Sequence, residues 1–363
     1  MDGGASNASE LDSVLVVGAG LLGTSIGLAL ASVGVGVHLV DSEPKHLHAA
    51  VERGAGRVWN GADRVDLAVV AVPPRITAEL LERLQRLDIA RTYTHVASVQ
   101  AHVQAEVEAR RLDLSCVVGG HPMAGAALSG PAAASADLFT GRPWCVCPLS
   151  ESTAEAVADV WALALAVGGA PVSLSAAEHD RAVALVSHLP QIVASGLAGL
   201  LTDPVALTLA GPGLVDTTRI AGSDPDLWTD VLTANAVLIE PLVGRLIAAL
   251  QELRSALADP PSPARDAAIH GYLSLGRAGR GLVPVKRGSG SAAFEVVQVR
   301  LDDRPGELAR LLSQASDLRV NVEDVRVDHL EGRPHGVVSL SLTPGQARHL
   351  AASLAATGWT VER

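Results

Sequence analysis

SVLVV (13–17), a short β-branched apolar run, passes directly into Gly18-Ala19-Gly20-Leu21-Leu22-Gly23 and then into TSIGLALASVG, which is apolar at helical spacing. Strand, tight turn and helix in that order constrain the chain more than any other feature, because Gly-x-Gly-x-x-Gly in this setting opens a parallel βαβ unit. The glycines allow a close approach of a pyrophosphate to the backbone, and the helix N-terminus offers unpaired N–H donors with a partial positive charge. A second strand, VGVHLV (35–40), ends in Asp41, 18 residues after Gly23. A carboxylate there accepts from ribose hydroxyls and repels a 2′-phosphate, so NAD is favoured over NADP. The expected cofactor residues are Gly18, Gly20, Leu21, Leu22, Gly23 and Asp41, with Val72 and Pro73 closing the DLAVVAV run. The alternative for Asp41 is a turn residue ahead of Ser42-Glu43-Pro44.

Further apolar runs follow at 66–72, 93–99, 114–120, 143–149 and 170–174, with helical segments such as 76–87 and 152–168 between several of them. Strands alternating with helices predict an α/β fold, a mostly parallel, doubly wound sheet of the Rossmann type over 1–174. From 175 to 283 the pattern is helical throughout, so an all-α domain is expected, apolar enough to pack on a second copy of itself as a homodimer. Residues 284–293 have the Gly/Ser content of a linker. Residues 294–363 read strand, helix, strand, strand, helix, strand, the ferredoxin-like βαββαβ order. With 363 residues the chain exceeds the roughly 250 at which single cores stop growing, in keeping with this division.

Composition removes several classes of function. The net charge is −11 and no basic run appears, so neither nucleic acid nor an anionic membrane surface is an expected partner. Hydrophobic residues make up 48%, yet Gly, Pro, Arg or Asp break every apolar stretch well short of the ~20 residues of a membrane span. The acidic, polar start MDGGASNASELDS lacks the features of a signal or transit peptide, which makes the cytoplasm the expected compartment. The cysteines Cys116, Cys145 and Cys147 supply neither a disulfide framework nor a second ligand pair for zinc, so no metal site is expected. Lysine occurs only at 45 and 286, which excludes lysine-nucleophile chemistry between them.

Four segments carry the remaining information: Ala97-Ser98-Val99, Gly119-Gly120-His121-Pro122-Met123-Ala124-Gly125, the run from Glu178-His179-Asp180 to Ser187-His188-Leu189-Pro190, and Thr218-Arg219-Ile220-Ala221-Gly222-Ser223-Asp224-Pro225 to Trp228. With the glycine turn they resemble the prephenate dehydrogenase family over almost the whole chain. The last 70 residues resemble an ACT regulatory domain, through Asp303-Arg304-Pro305-Gly306-Glu307-Leu308 and Val320-Asn321-Val322. The resemblance implies NAD-dependent oxidative decarboxylation of a cyclohexadiene dicarboxylate, with His121 as general base and Ser98 bonding to the substrate hydroxyl. Arg219 would grip a carboxylate, for which a planar guanidinium suits better than an ammonium. Ser187, His188, Gln191, Gln100 and Trp228 would line the substrate pocket. His179 and Asp180 read as structural, with a place in the pocket lining as the alternative. In the ACT-like unit, Asp303, Gly306 and Asn321 mark where the resemblance places an amino-acid effector; a dimerisation module without ligand is the other reading.

The chain departs from the family pattern at Gln100, where lysine is common, at Ala126-Ala127, where a polar residue and a glutamate are usual, and at Gln191, where a second histidine is common. These exchanges remove charge or ionisable groups beside the implied pocket. They leave open prephenate itself, arogenate, or 4-amino-4-deoxyprephenate in specialised metabolism. A non-catalytic NAD and amino-acid sensor, or a 3-hydroxy acid or imine dehydrogenase of the same build, are readings from other classes; the last lacks the helical-domain lysine it would use.

Overall fold

The computed structural model describes residues 11–61, 64–125, 128–283, 295–329 and 335–362. The expected linker and Ala126-Ala127 lie outside them. The chain forms two compact units, Met1–Gln251 and Glu252–Arg363.

In the first unit the elements run β1 (Ser13–Val17), α1 (Leu21–Ser32), β2 (Gly36–Val40), α2 (Pro44–Glu52), β3 (Arg57–Val58), β4 (Val65–Val70), α3 (Pro74–Arg86), β5 (Ala90–His95), α4 (Gln100–Ala109), β6 (Val117–Pro122), β7 (Pro143–Pro148), α5 (Ala154–Ala166) and β8 (Ala170–Ser173). The eight strands order as β3-β2-β1-β4-β5-β6-β7-β8. Every pairing is parallel except β6 with β7, where His121 faces Cys145. Strand order reverses between β1 and β4, so the crevice beyond their carboxyl ends is the place where open α/β sheets bind ligands. Strands buried on both faces need continuous apolar runs, and Val14, Leu15, Val16 and Val17 are accordingly all buried.

Some expectations shift. The 93–99 run is strand only to His95; Ala97-Ser98-Val99 is the connection into α4. His121 lies inside β6 rather than after it. The short β3 and helices α2 and α4 add to the elements read from the sequence.

The helical part begins with α6 (Ala176–Val183), a π-helical turn at Ala184–His188, and α7 (Leu189–Ala198). Pro190, in the first turn of α7, has no N–H to give and would clash with a carbonyl four residues back in a regular helix, which accounts for the widened turn before it. Then come α8 (Pro204–Leu207), α9 (Pro212–Thr218), a 3₁₀ turn at Arg219–Gly222, α10 (Pro225–Ala234) and α11 (Ala236–Ala258). The apolar stretch 226–257, of helical period in the sequence, forms two helices bent by 97° at Asn235. Asparagine competes with the helix by bonding through its side chain, and here it does so. No strand interrupts this part, as expected. Among the described residues no single helix is long and apolar enough to cross a membrane. This part leaves large apolar side chains uncovered, among them Leu200 at 77% and Leu209 at 85% exposure, in the turns after α7 and α8.

The division at Gln251/Glu252 falls inside α11, and α12 (Pro263–Leu282) belongs to the second unit. That unit continues with β9 (Glu295–Asp302), α13 (Glu307–Asp317), β10 (Asp324–His329), β11 (His335–Leu342), α14 (Pro344–Ala356) and β12 (Val361–Glu362). Its strands form an antiparallel sheet in the order β10-β11-β9-β12, covered by a core that includes Leu311, Leu340, Leu350 and Leu354. The chain order is βαββαβ, as the sequence predicts.

One buried carboxylate ties α5 to the sheet. Asp159, fully buried, accepts from Arg91 Nη2 at 3.0 Å, from Arg91 Nε at 3.2 Å and from the Thr92 hydroxyl at 2.6 Å. Removing one side of such a charge-assisted network leaves its partners unsatisfied. Asp159→Ala is therefore expected to destabilise the first unit by about 2 kcal/mol, read by denaturant or thermal unfolding.

Candidate active site

The glycine turn has the shape a dinucleotide requires. Gly18 has φ +104°, and a Cβ there would stand 2.3 Å from the Ala71 carbonyl oxygen and 3.0 Å from Val72 Cγ1; one at Gly23 would lie 1.8 Å from the Gly18 carbonyl oxygen. Neither position tolerates a side chain. Gly20, which caps α1, faces open space instead. The turn is thus tight where it packs on β4 and α1, and open where a phosphate would meet the first amides of the helix. Asp41 stands at the end of β2 with Oδ2 accepting from the Ala19 amide at 2.5 Å and Oδ1 from the Glu43 amide at 2.7 Å. The carboxylate is therefore fixed against the turn. Leu21 and Leu22 open α1, and Pro73 caps α3 after Val72. The shape of the turn fits a dinucleotide.

At the carboxyl end of β6, His121 is 9% exposed. Its Nδ1 lies 2.7 Å from His179 Nε2, the rings edge-on with centroids 5.0 Å apart. His179 Nδ1 in turn lies 2.7 Å from Asp180 Oδ1. Asp180 also accepts from the Gln100 amide at 2.9 Å and the Ala101 amide at 2.8 Å, the first N–H groups of α4. A carboxylate oxygen only accepts, so His179 carries its proton on Nδ1 and its Nε2 accepts from His121 Nδ1–H. The His121 lone pair is thereby left on Nε2. Burial pushes His121 well below 6.5, and charge on the neighbouring imidazoles of His179, His188 and His95 would oppose its protonation further.

Three further groups close around this chain. Asn235, at the α10–α11 bend, donates from Nδ2 to the Asp180 carbonyl at 3.0 Å and to His188 Nδ1 at 3.1 Å. That leaves the His188 proton on Nε2, and burial lowers this imidazole to about 4. Trp228 stands edge-on to His188, 6.0 Å between centroids, so the pocket role expected of Trp228 and His188 falls on adjoining side chains. His95, at the end of β5, is fully enclosed and held at about 4 by burial.

The expected substrate residues divide. Gln100 is 2% exposed and its Nε2 donates to the carbonyls of Ala97 at 2.7 Å and Gly120 at 3.1 Å. Its amide hydrogens therefore fasten the Ser98 connection to β6. Gln191 donates to the Ser195 hydroxyl at 3.4 Å, while its buried Oε1 has no partner among the described residues. Ser98 is half-buried in the β5–α4 connection, and Ser187 sits in the π-helical turn beside His188. Arg219 is exposed on the 3₁₀ turn that packs against α7, the helix carrying Gln191. In the second unit Gly306 caps α13 at φ +90°, Asp303 is exposed, and the Asn321 amide donates to Glu323.

Sequence reasoning passed over Asn235 and His95 and took His179 and Asp180 as structural. The adjacent pair His179-Asp180 was the available signal, since neighbouring imidazole and carboxylate can point a hydrogen bond at a third group.

Comparison with known proteins identifies the family. Residues 26–173 match the family described as prephenate dehydrogenase, nucleotide-binding domain, and residues 175–267 its dimerization domain. The probable prephenate dehydrogenase NovF of Streptomyces niveus is 37% identical, covering 96% of this chain and 98% of its own. The prephenate dehydrogenase of Bacillus subtilis is 26% identical over 91% of this chain and 92% of its own. A solved structure of prephenate dehydrogenase from A. aeolicus, in complex with hydroxyphenyl propionate and NAD+, superposes with a TM-score of 0.65 at 26% identity, over 76% of this chain and 99% of that one. The chain belongs to the prephenate dehydrogenase family.

Proposed function

We infer that this chain oxidises and decarboxylates prephenate with NAD, yielding 4-hydroxyphenylpyruvate. The observation that carries the reading is a buried histidine, its ring tautomer set by its neighbours, at the carboxyl end of the sheet whose first turn is shaped for a dinucleotide. Gly18, Gly20, Leu21, Leu22, Gly23, Asp41, Val72 and Pro73 would hold NAD, which when bound would supply the acceptor for the hydride leaving C4 of the substrate. His121 Nε2 takes the proton of the C4 hydroxyl as that hydride departs, and Ser98 bonds to the same hydroxyl. The resulting dienone loses carbon dioxide from C1; the electron pair of that bond enters the ring, and the C4 oxygen recovers the proton from His121. Aromatisation drives the step. Arg219 grips a substrate carboxylate, and Gln191, His188, Ser187 and Trp228 line the remaining pocket.

The helical part, with its uncovered leucines, pairs two copies of the chain into a homodimer. The C-terminal βαββαβ unit is an ACT regulatory domain that takes an amino acid near Asp303, Gly306 and Asn321.

NADH formation with NAD and prephenate tests the reading, with arogenate and 4-amino-4-deoxyprephenate as parallel substrates. Prephenate should give the highest kcat/KM. Tight NAD binding with no turnover of any of the three would overturn the enzyme reading in favour of a sensor. His121→Asn should lower kcat by a factor on the order of 10² to 10⁴ with NAD affinity little changed; near-normal turnover removes His121 from the mechanism. Arg219→Lys should raise the prephenate KM by about tenfold or more, because a point charge cannot hold both carboxylate oxygens; an unchanged KM refutes the grip.

Because the base works unprotonated and lies well below 6.5, kcat/KM should hold steady as pH falls through 6.5 and decline only beneath it. A limb centred at 6.5 or higher would show a base exposed to water. His95 and His188, both held at about 4, add to fold stability above their unfolded value of 6.5, and that contribution is lost as pH drops toward 4. Circular dichroism across the same range separates acid unfolding from titration of the base.

A further inference from the structure

We infer that His179 and Asp180 act on the reaction through His121, as a positioning pair that holds its ring in one tautomer and one orientation and offsets the charge it gains. The inference rests on the reading of His121 as the base. Its ground is an unbroken hydrogen-bonded line, His121 Nδ1 to His179 Nε2 at 2.7 Å and His179 Nδ1 to Asp180 Oδ1 at 2.7 Å, with His179 fully buried and Asp180 at 1% exposure. Asp180 cannot swing away, because its oxygens also receive the Gln100 and Ala101 amides and its backbone carbonyl receives the Asn235 amide. Each ring nitrogen in the line therefore has one allowed role. A neutral His121 could otherwise carry its hydrogen on Nε2 and be useless as an acceptor. With His179 Nε2 as a fixed acceptor, that tautomer would set two lone pairs against each other, so the hydrogen stays on Nδ1.

The stoichiometry says why positioning suffices. The proton leaves the C4 oxygen for His121 Nε2 and returns to that same oxygen when carbon dioxide departs, so no proton has to travel on to His179. What the ring needs between those two events is a partner for its Nδ1–H while it is an imidazolium, with a negative charge one ring away. His179 supplies the first and Asp180 the second. An imidazole and a carboxylate acting through a base in this manner are recognised by geometry rather than by fold.

A double-mutant cycle tests this on the full chain. His179→Leu should lower kcat by about 10²-fold while the prephenate KM and the NAD dissociation constant stay within about threefold. His179→Gln, which can accept at Oε1 and donate to Asp180 from Nε2, should recover about tenfold of that loss. In the His121→Asn background the leucine substitution should cost less than about a further twofold, since the group it serves is gone. A loss from His179→Leu that persists undiminished in that background makes His179 merely structural and overturns the inference, as does wild-type kcat in His179→Leu. If the leucine variant loses its cooperative melt, the cycle is read on His179→Gln: a partial loss that vanishes beside His121→Asn supports the pair, and one that persists refutes it. Near-normal turnover in His121→Asn alone would instead defeat the reading of the base. A large loss there with none from His179 defeats only the positioning pair.

Discussion

The Asp180 carboxylate is the constraint on which the candidate site depends. It receives the first two amides of α4, from the dinucleotide-binding sheet, and the His179 ring, from its own helix α6. The unpaired N–H groups at a helix start favour an anion, so the helix end and the carboxylate hold each other. Through these contacts one residue sets the position of the connection carrying Ser98, and of the ring that meets His121. Asn235 adds a third element by bonding both the Asp180 carbonyl and His188 at the bend between α10 and α11. The bend that interrupts an otherwise uniform apolar run thus serves the site.

Much of this was legible in the sequence, and the reasons differ by feature. The glycine turn and Asp41 are local: the strand before, the helix after and the acid ending the next strand lie within one βαβ unit, so their chemistry can be read from spacing. The βαββαβ order of the last 70 residues was legible for the same reason, its turns and periods being short-range. The line from His121 to Asp180 was not, because its members are 58 residues apart or belong to a helix whose pattern reads only as amphipathic. Nor could the 97° bend be seen, since Asn235 is a single polar residue in a run whose hydrophobicity continues on both sides. Hydrophobic periodicity reports which face is buried and says nothing of where one helix ends against another.

The two glutamines, both expected in the substrate pocket, have different surroundings. Gln100, read as a neutral replacement in a substrate pocket, spends both amide hydrogens on the Ala97 and Gly120 carbonyls and joins the serine-bearing connection to the histidine-bearing strand. A lysine there could donate to the same carbonyls but would bring a charge to a position only 2% exposed, and burying an ammonium is costly unless it is paired. Gln191 differs, since its buried carbonyl oxygen has no partner among the described residues. A buried acceptor left unsatisfied costs roughly 1–3 kcal/mol, and a donor on the substrate would relieve that cost on binding.

Burial and the hydrogen bond at Nδ1 would act in opposite directions on a protonated His121, and the proposed reaction uses both. Removal from water makes the ring a poor holder of a proton, pushing it well below 6.5. A strong base would take the hydroxyl proton readily and then keep it, whereas in the proposed reaction the same proton is given back once carbon dioxide is lost. A weak base would not take it at all unless the imidazolium were met at Nδ1 as it forms. On the proposed reading, His179, itself anchored to Asp180, would meet that charge only along the line of the Nδ1–H bond, so the stabilisation would be offered to the ring in that one orientation. Such a ring would be weak toward stray protons from solvent and receptive toward a proton delivered at Nε2.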